Sequence, residues 1–295
     1  MTLDLKSFAA QARVTDGVYW TELQKKGLLT PGSCAEFLNA DNPAAVEAVA
    51  RSYVQAGSDV VMTNTLLAHR FGLAPYGAAG RAAELAEAAA GIARKAAAGT
   101  DVKVFGSFGP SGKIVMMGEV AEEDLAAAFA ETAGALARGG AEAVVLETFN
   151  ELAEAEIALR AVKKTCDLPV VVSMAFAYGP EKSATMMGNT PADLAAIAEA
   201  NGADAVGANC GVGPDAYVGV AAMLREATDL PIWIKPNAGL PVVADGKTTF
   251  PMGPEEFASF VPQLIAAGAH FIGGCCGCGP DHIRAVRAAA NRAEG

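Results

Sequence analysis

The fold is decided by the stretch Ala267-Gly268-Ala269-His270-Phe271-Ile272-Gly273-Gly274-Cys275-Cys276. A helical segment ends at its Ala-Gly pair, a short apolar strand follows, and a glycine-flanked cysteine pair stands at the strand end. The same order of helix end, glycine turn and strand recurs at Ala56-Gly57-Ser58-Asp59, Gly139-Gly140-Ala141-Glu142 and Asn201-Gly202-Ala203-Asp204. Glycine is the expected residue at a helix C-cap, so these junctions predict short helix-to-strand turns.

Eight such strands alternate with helices along the chain. The predicted strands are Arg13 to Asp16, Asp59 to Thr63, Lys103 to Phe108, Ala143 to Glu147, Val170 to Met174, Ala205 to Ala208, Ile232 to Lys235 and His270 to Ile272. The predicted helices are Pro43 to Ala56, Arg81 to Ala98, Glu122 to Arg138, Glu151 to Lys164, Pro191 to Ala200, Asp215 to Thr228, Pro254 to Ala267 and Asp281 to Ala293. Eight βα units in 295 residues favour an α/β fold, a (β/α)8 TIM barrel spanning residues 1–295 as a single domain. A doubly wound open sheet is the alternative.

Composition restricts the partners and the compartment. The chain is 52% hydrophobic with a net charge of -11, and its basic residues are scattered, which argues against a nucleic-acid partner. No run of about 18 apolar residues is present to span a membrane, and Asp4 and Lys6 interrupt the start where a signal peptide needs an apolar core. We therefore expect a cytoplasmic protein whose six cysteines are thiols or metal ligands rather than disulfides. The sequence identifies no oligomer interface.

Polar or thiol side chains stand where the predicted strands end, which is where a (β/α)8 barrel assembles its active site. They are Asp16, Asn64, Glu147, Cys210, Asn237, Cys275 and Cys276. The sixth and eighth strands lie two apart around a barrel, so we expect Cys210 to face Cys275 and Cys276.

Three thiolates around one cation favour zinc, with a fourth coordination position open to a substrate. A thiol substrate bound there would be held as the thiolate, the nucleophilic form. A redox pair of Cys275 with Cys278 is the alternative use of these residues. Cys278 could also be a spare ligand or a small residue that opens the last helix, whereas Cys34 and Cys166 are interpreted as ordinary thiols.

The chain resembles the zinc-dependent homocysteine S-methyltransferases, the family that includes the homocysteine-binding module of cobalamin-dependent methionine synthase and betaine-homocysteine methyltransferase. The resemblance rests on the motifs Asp16-Gly17, Thr63-Asn64-Thr65, Gly106-Ser107-Phe108-Gly109-Pro110-Ser111-Gly112, Leu146-Glu147-Thr148, Asn209-Cys210, Pro236-Asn237-Ala238-Gly239 and Gly273-Gly274-Cys275-Cys276-Gly277. It implies a (β/α)8 barrel in which Cys210, Cys275 and Cys276 bind Zn²⁺ and the homocysteine sulfur completes the site. It also implies that Asp16 and Glu147 hold the substrate amino group. We assign Asn64 and Asn237, from their places at strand ends, to substrate binding as well.

The predicted reaction is methyl transfer to homocysteine, giving methionine. The motifs around Glu147 and Asn237 are more similar to the cobalamin-linked branch of the family. The 295 residues leave no room for a corrinoid domain, so a methylated corrinoid is expected on a separate protein. Tyr19 and Trp20, where the family has other residues, could instead form an aromatic cage for betaine or pack the first helix. Another small thiol or a corrinoid protein as acceptor, and a non-catalytic zinc-thiolate partner protein, are the alternative functions.

Overall fold

Eight parallel strands form a nearly closed barrel in the computed structural model, which describes residues 2–244 and 247–294. The barrel strands are β1 (Arg13–Val14), β2 (Val60–Met62), β3 (Lys103–Phe108), β4 (Ala143–Phe149), β5 (Val170–Met174), β6 (Ala205–Asn209), β7 (Ile232–Lys235) and β10 (Ala269–Ile272). Their order is β1-β10-β7-β6-β5-β4-β3-β2, with the first strand beside the last. The predicted (β/α)8 barrel is therefore confirmed, and the open doubly wound alternative was wrong.

The seam between β1 and β2 is closed largely by aspartate side chains. Asp59 donates its backbone N–H to the Val14 carbonyl at 2.6 Å, and its carboxylate accepts the Val14 N–H at 2.7 Å. The Asp16 carboxylate accepts the Met62 N–H at 2.7 Å. These bonds satisfy backbone groups that would otherwise be left without partners at the ends of the sheet.

Helices surround the barrel and connect its strands. They are α1 (Leu5–Phe8), α2 (Tyr19–Lys25), α3 (Leu38–Asp41), α4 (Pro43–Ala56), α5 (Arg70–Leu73), α6 (Ala82–Ala97), α7 (Glu122–Arg138), α8 (Leu152–Thr165), α9 (Pro191–Ala200), α10 (Pro214–Ala227), α11 (Pro254–Ala258), α12 (Val261–Ala266) and α13 (Pro280–Glu294). Single 3-10 turns cover Ala35–Phe37, Ala74–Tyr76, Ala79–Arg81 and Val115–Met117. The single helix predicted from Pro254 to Ala267 was wrong. Two helices occupy that segment because Pro262 lacks an N–H, and its ring would clash with the carbonyl four residues earlier.

The core has an inner and an outer layer. The barrel interior is filled by large side chains that include Phe105, Trp233 and Phe271, and Phe105 and Trp233 stack with ring centroids 6.0 Å apart. Leu5 of α1 joins this inner layer from the N-terminal end of the chain. A larger apolar layer lies between the strands and the helices, where many of the helix positions are alanines. Side chains therefore fill the barrel, and chemistry is confined to its rim.

A short hairpin that the sequence analysis did not predict follows β7. Its strands, β8 (Val242–Ala244) and β9 (Lys247–Thr249), pair antiparallel. The chain then returns to the rim, where Met252 donates its N–H to the Ala238 carbonyl at 3.0 Å. In the described part of the chain, no helix is both long enough and apolar enough to cross a membrane.

Candidate metal centre and substrate pocket

Three cysteines meet at the C-terminal rim of the barrel. The sulfur atoms of Cys210, which follows β6, and of Cys275 and Cys276, which follow β10, all lie within 4.8 Å of one another. The Cys210 and Cys276 sulfurs are 3.9 Å apart. The structure therefore brings together the two segments that the sequence analysis expected to meet.

Cys278 lies outside this group. It is fully buried, and its sulfur contacts the Pro236 carbonyl at 3.9 Å. Cys275 and Cys278 are both free thiols. The buried position is that of a small core residue, so the redox-pair alternative gains no support from the fold.

Backbone geometry at both loops is unusual and tightly held. Cys278 donates its N–H to the Cys275 carbonyl at 3.0 Å, closing a turn in which Gly277 has φ of 86°. A Cβ on Gly277 would lie 2.4 Å from the Phe250 Cβ, so glycine is required there. Cys210 itself has φ of 64°, a strained value for a residue with a side chain. Its carbonyl accepts the Tyr217 hydroxyl at 2.7 Å, which helps to hold it in this conformation.

Asn237 connects the two cysteine loops. Its side-chain oxygen accepts the Cys276 N–H at 3.1 Å, and its own N–H donates to the Val212 carbonyl at 2.9 Å, next to the Cys210 loop. The Asn237 side chain also lowers the pKa of the Cys210 thiol. The structure therefore places this residue against the metal-binding loops, and its assignment to substrate binding stays a prediction.

The three thiols lie close enough together to shift one another's pKa. Hydrogen bonds from Cys275 and Cys276 lower the pKa of Cys210 to about 3. The hydrogen bond to Cys210 in turn raises the pKa of Cys276 to about 12, and the same contact raises the pKa of Cys275. The close approach of the three sulfurs therefore favours a thiolate within the cluster.

Asp16 is completely buried and bound to other parts of the protein. One carboxylate oxygen lies 2.6 Å from the ammonium of Lys235, which is 2% exposed, and the other accepts the Met62 N–H. Lys235 is the last residue of β7 and follows Asp16 by 219 positions in the sequence. Sequence reasoning missed this lysine, although Lys235 directly precedes the Pro236-Asn237 motif that it singled out.

Glu147 lies near the end of β4 and is 8% exposed. Its carboxylate accepts a long hydrogen bond of 3.5 Å from the Asn209 amide. Burial raises the pKa of the Glu147 carboxyl, and the positive charge of Lys235 opposes that rise. The register of β4 against β5 shifts between Leu146 and Phe149, so Glu147 stands at an irregularity in the sheet.

Asn209 is a further site residue that sequence reasoning did not assign. It is fully buried, and its side-chain oxygen accepts the Thr148 N–H at 2.8 Å and the Ser173 hydroxyl at 2.7 Å. Its amide donates to the Thr148 hydroxyl at 2.7 Å. Thr148 has φ of 66°, so Asn209 restrains a strained residue beside Glu147 while directly preceding Cys210. Its place in the Asn209-Cys210 motif was the available signal.

Asn64 and Tyr19, which were both considered for ligand binding, form hydrogen bonds within the protein. The Asn64 amide donates to the Ala35 carbonyl at 2.8 Å and to the Asn39 side chain at 3.0 Å, which uses both of its hydrogens. Tyr19 is buried, and its hydroxyl donates to the Met62 carbonyl at 2.8 Å, while Trp20 packs against the main core. The packing interpretation of these aromatics is confirmed, and the aromatic-cage alternative was wrong for Tyr19.

Comparison with known proteins identifies the family. The family model described as Homocysteine S-methyltransferase matches residues 13–290. The chain belongs to this family. This is the family that the sequence analysis named.

The chain is similar to two curated proteins named methionine synthase. It is 33% identical over 306 residues to the one from Mycobacterium leprae (strain TN), and the match covers 98% of this chain and 25% of that protein. It is 32% identical over 302 residues to the one from Mycobacterium tuberculosis (strain ATCC 25618 / H37Rv), covering 97% of this chain and 25% of that protein. The chain thus spans about a quarter of the length of these relatives.

Solved structures share the fold at lower identity. The metallated form of the homocysteine methyltransferase MmuM from Escherichia coli superposes with a TM-score of 0.80 at 24% identity, covering 97% of this chain and 99% of that one. A methyltransferase from Methanosarcina mazei matches with a TM-score of 0.62 at 13% identity, covering 97% and 95% of the two chains. Both support the barrel architecture.

Proposed function

We propose that this methyltransferase transfers a methyl group to homocysteine at a zinc site formed by Cys210, Cys275 and Cys276. The observation that carries the proposal is the spacing of the sulfurs. Tetrahedral Zn²⁺ with bonds of about 2.3 Å to sulfur requires sulfur atoms about 3.8 Å apart. The Cys210 and Cys276 sulfurs are 3.9 Å apart, and the third lies within 4.8 Å of both. Three cysteine sulfurs at this spacing therefore fit a Zn²⁺ ion.

Zinc, when bound, would supply the positive charge that holds a substrate thiol as its nucleophilic thiolate at neutral pH. The chain itself supplies three sulfur ligands, which leaves a fourth position for that thiol. Glu147, near the end of β4, and Asp16, which follows β1 and is paired with Lys235, are the acidic residues that would face an α-ammonium group. Asn209 links the Glu147 end of the pocket to the cysteine end through Thr148. Sulfur and ammonium of one small amino-acid thiol are thus fixed by a single rigid rim, which lowers the entropic cost of reaction.

The rim also favours one class of methyl donor. The most exposed large hydrophobic side chains of the described residues all lie in segments that connect the C-terminal end of a barrel strand to the next barrel helix. They are Met116, Met117, Tyr178, Met186, Leu240 and Val243. Exposed apolar residues grouped on one face are typical of a protein-binding surface. We therefore propose a methylated corrinoid carried on a separate protein as donor, in preference to a small donor such as betaine, for which buried Tyr19 offers no open cage.

Zinc content tests the metal assignment. Carefully reduced wild-type protein is expected to contain about one Zn²⁺ per chain, and Cys210→Ala is expected to lose most of it because only two sulfur ligands remain. Cys166→Ala is the matched control, since Cys166 is a partly buried thiol at the end of α8, apart from the three-cysteine cluster. Zinc-free wild-type protein, or full zinc in Cys210→Ala, would refute the assignment. Because metal-binding thiols must stay reduced, we propose the cytoplasm as the compartment.

Methionine formation tests the acceptor and the donor. Homocysteine is supplied with methylated corrinoid protein or betaine, and we expect methionine with the corrinoid protein. Replacing Met116 and Met117, which are 75% and 72% exposed, by serine should raise KM for the corrinoid protein about tenfold, because about 1.4 kcal/mol of apolar contact is lost. KM for homocysteine should not change. Zinc binding without methionine from either donor would instead favour the non-catalytic alternative or another thiol acceptor.

A further inference from the structure

The two most exposed methionines lie in a turn that is held by a carboxylate from a neighbouring loop. Residues 109–121 connect β3 to α7, and the 3-10 turn Val115–Met117 in this segment carries Met116 and Met117. We infer that Glu151, which directly precedes α8, is a positioning residue for the methyl donor, because it fixes the turn that presents these methionines. The inference rests on the proposed function, since it takes the methylated corrinoid protein as the donor.

Glu151 binds the turn through two consecutive backbone N–H groups. One carboxylate oxygen accepts the Met116 N–H at 2.7 Å, and the other accepts the Val115 N–H at 2.8 Å. The first N–H groups of a helical turn have no partner within it, so one carboxylate satisfies two of them. Glu151 is 6% exposed, and a buried carboxylate is costly unless it accepts such hydrogen bonds. The position of the turn therefore depends on this side chain.

A second carboxylate of the same helix holds the beginning of the segment. Glu154 is 2% exposed and accepts the Ser111 N–H at 2.7 Å. The cation of this helix, Arg160, pairs with Glu122 and Glu156 instead. Backbone N–H groups are thus what the two buried carboxylates bind, and they tie the segment to α8 at two places.

The fixed turn directs its two methionines into solvent. Met116 and Met117 are 75% and 72% exposed, whereas Val115 packs against the main core. Apolar side chains stabilise a fold by being buried, and ordering a loop costs conformational entropy. An ordered turn that exposes two methionines therefore contributes little to stability by itself. It suits a preorganised binding surface, because a surface that is already rigid loses less entropy when its partner docks.

The start of α8 also contacts a neighbouring part of the same exposed surface. Leu152, its first residue, donates its N–H to the Asn189 side chain at 3.2 Å, three positions after the exposed Met186. The helix follows β4, the strand that contains Glu147. The start of α8 therefore lies between the proposed donor surface and the substrate pocket, where Glu151 can set the position of one relative to the other.

A double-mutant cycle tests whether Glu151 acts through the two methionines. KM for the methylated corrinoid protein is measured at saturating homocysteine for wild-type protein, Glu151→Ala, Met116→Ser with Met117→Ser, and the variant with all three changes. Glu151→Ala should raise this KM by about three- to tenfold, and the combined variant should show no larger rise than the methionine replacement alone, because a displaced turn no longer presents its side chains. Glu151→Gln, which keeps one acceptor, should give a smaller rise.

Two further readouts separate positioning from general loss of structure. The Val115 and Met116 amides should exchange hydrogen faster in Glu151→Ala, while the amides of the barrel strands keep their protection. The Kd for homocysteine in calorimetry should not change. Glu156→Ala is the matched control, because Glu156 lies on the same helix with its side chain 37% exposed, and it should change neither KM nor amide exchange.

Several outcomes would overturn the inference. Unchanged KM or unchanged amide exchange in Glu151→Ala would do so, and so would multiplied effects in the combined variant, since the residues would then act independently. A Kd for homocysteine that rises in parallel with KM would assign Glu151 to the pocket instead. If Glu151→Ala does not fold, Glu151→Gln is judged by the same criteria. If the wild type forms no methionine from the methylated corrinoid protein, the proposed function itself has failed, and the inference fails with it.

Discussion

Replacing Lys235 by methionine should destabilise the barrel far more than replacing a surface lysine. Methionine keeps most of the length and the apolar stem of lysine but removes the charge, so the Asp16 carboxylate is left buried without its counter-ion. Breaking a buried ion pair by removing one partner costs about 3–5 kcal/mol. Both partners here are at most 2% exposed, so solvent cannot compensate the loss.

The expected shift can be worked out from chain length. With an unfolding entropy of about 2.1 cal/mol/K per residue, 295 residues give about 0.6 kcal/mol/K. A loss of about 3–5 kcal/mol therefore lowers Tm by about 5–8 °C. Lys163→Met is the matched control, because Lys163 pairs with Asp204 at 3.1 Å with both side chains about one-third exposed, and should cost less than about 1 kcal/mol.

Urea denaturation followed by circular dichroism measures these differences. Adding Asp16→Asn to Lys235→Met should restore at least half of the lost free energy of unfolding, because the isolated charge is removed. The reasoning would be refuted if Lys235→Met cost no more than Lys163→Met. It would also be refuted if the double variant lost the sum of the two single losses, since the residues would then be energetically independent.

Three further substitutions test other parts of the structure. His69 lies just before α5 and is fully buried, and burial lowers its pKa to about 4. Between about pH 6.5 and 4 the unfolded chain binds a proton at this histidine and the native state does not. The free energy of unfolding should therefore fall by about 3 kcal/mol as the pH is lowered through this range. His69→Asn, which keeps a cap acceptor for the Gly72 N–H, should flatten that slope in urea titrations at several pH values; an unchanged slope would assign the acid loss to other groups. Asn209→Ala should cost about 2–3 kcal/mol, since Thr148 N–H and the Ser173 hydroxyl lose their acceptor, and a loss below 1 kcal/mol in urea would contradict the contacts. Gly277→Ala should lower the affinity for zinc in a chelator competition. Gly112 is the control, because it also has a positive φ of 76° but no atom lies near the position of an added Cβ, so Gly112→Ala should leave the affinity unchanged. Equal effects of the two substitutions would argue against a local clash at Gly277.

Local signals in the sequence were sufficient to predict the bounds of several strands. Lys103–Phe108, Val170–Met174 and Ile232–Lys235 begin and end where predicted, and a proline or glycine lies next to at least one end of each. The helix between residues 254 and 267 was misjudged because its apolar pattern outweighed Pro262 in the prediction. Strand β1 ends at Val14, two residues earlier than predicted.

The approach of the three cysteines was predictable from the sequence, but the ion pair beside them was not. Strand-end positions and the cysteine motifs indicated that Cys210 would approach Cys275 and Cys276, and the fold places them together. The partner of Asp16 could not be inferred, because Lys235 is 219 residues away in the sequence. A lysine at the end of an apolar strand does not indicate which carboxylate it will pair with. The contacts of the Asn64 amide with Ala35 and Asn39 could likewise not be inferred, and the assignment of Asn64 to substrate binding stays a prediction.

The pairing of the first strand with the last determines when the three cysteines can come together. Arg13 of β1 pairs with Phe271 of β10, and β10 also pairs with β7, so the barrel is not complete until its final strand inserts between the two. Cys275 and Cys276 are carried by the turn just beyond β10, whereas Cys210 is already in place after β6. During refolding, a thiolate-to-metal absorption band from added Co²⁺ would therefore rise only with this last insertion. Formation of the cysteine cluster would therefore report barrel closure. A chain that ends before β10 would contain only Cys210 of the three cysteines.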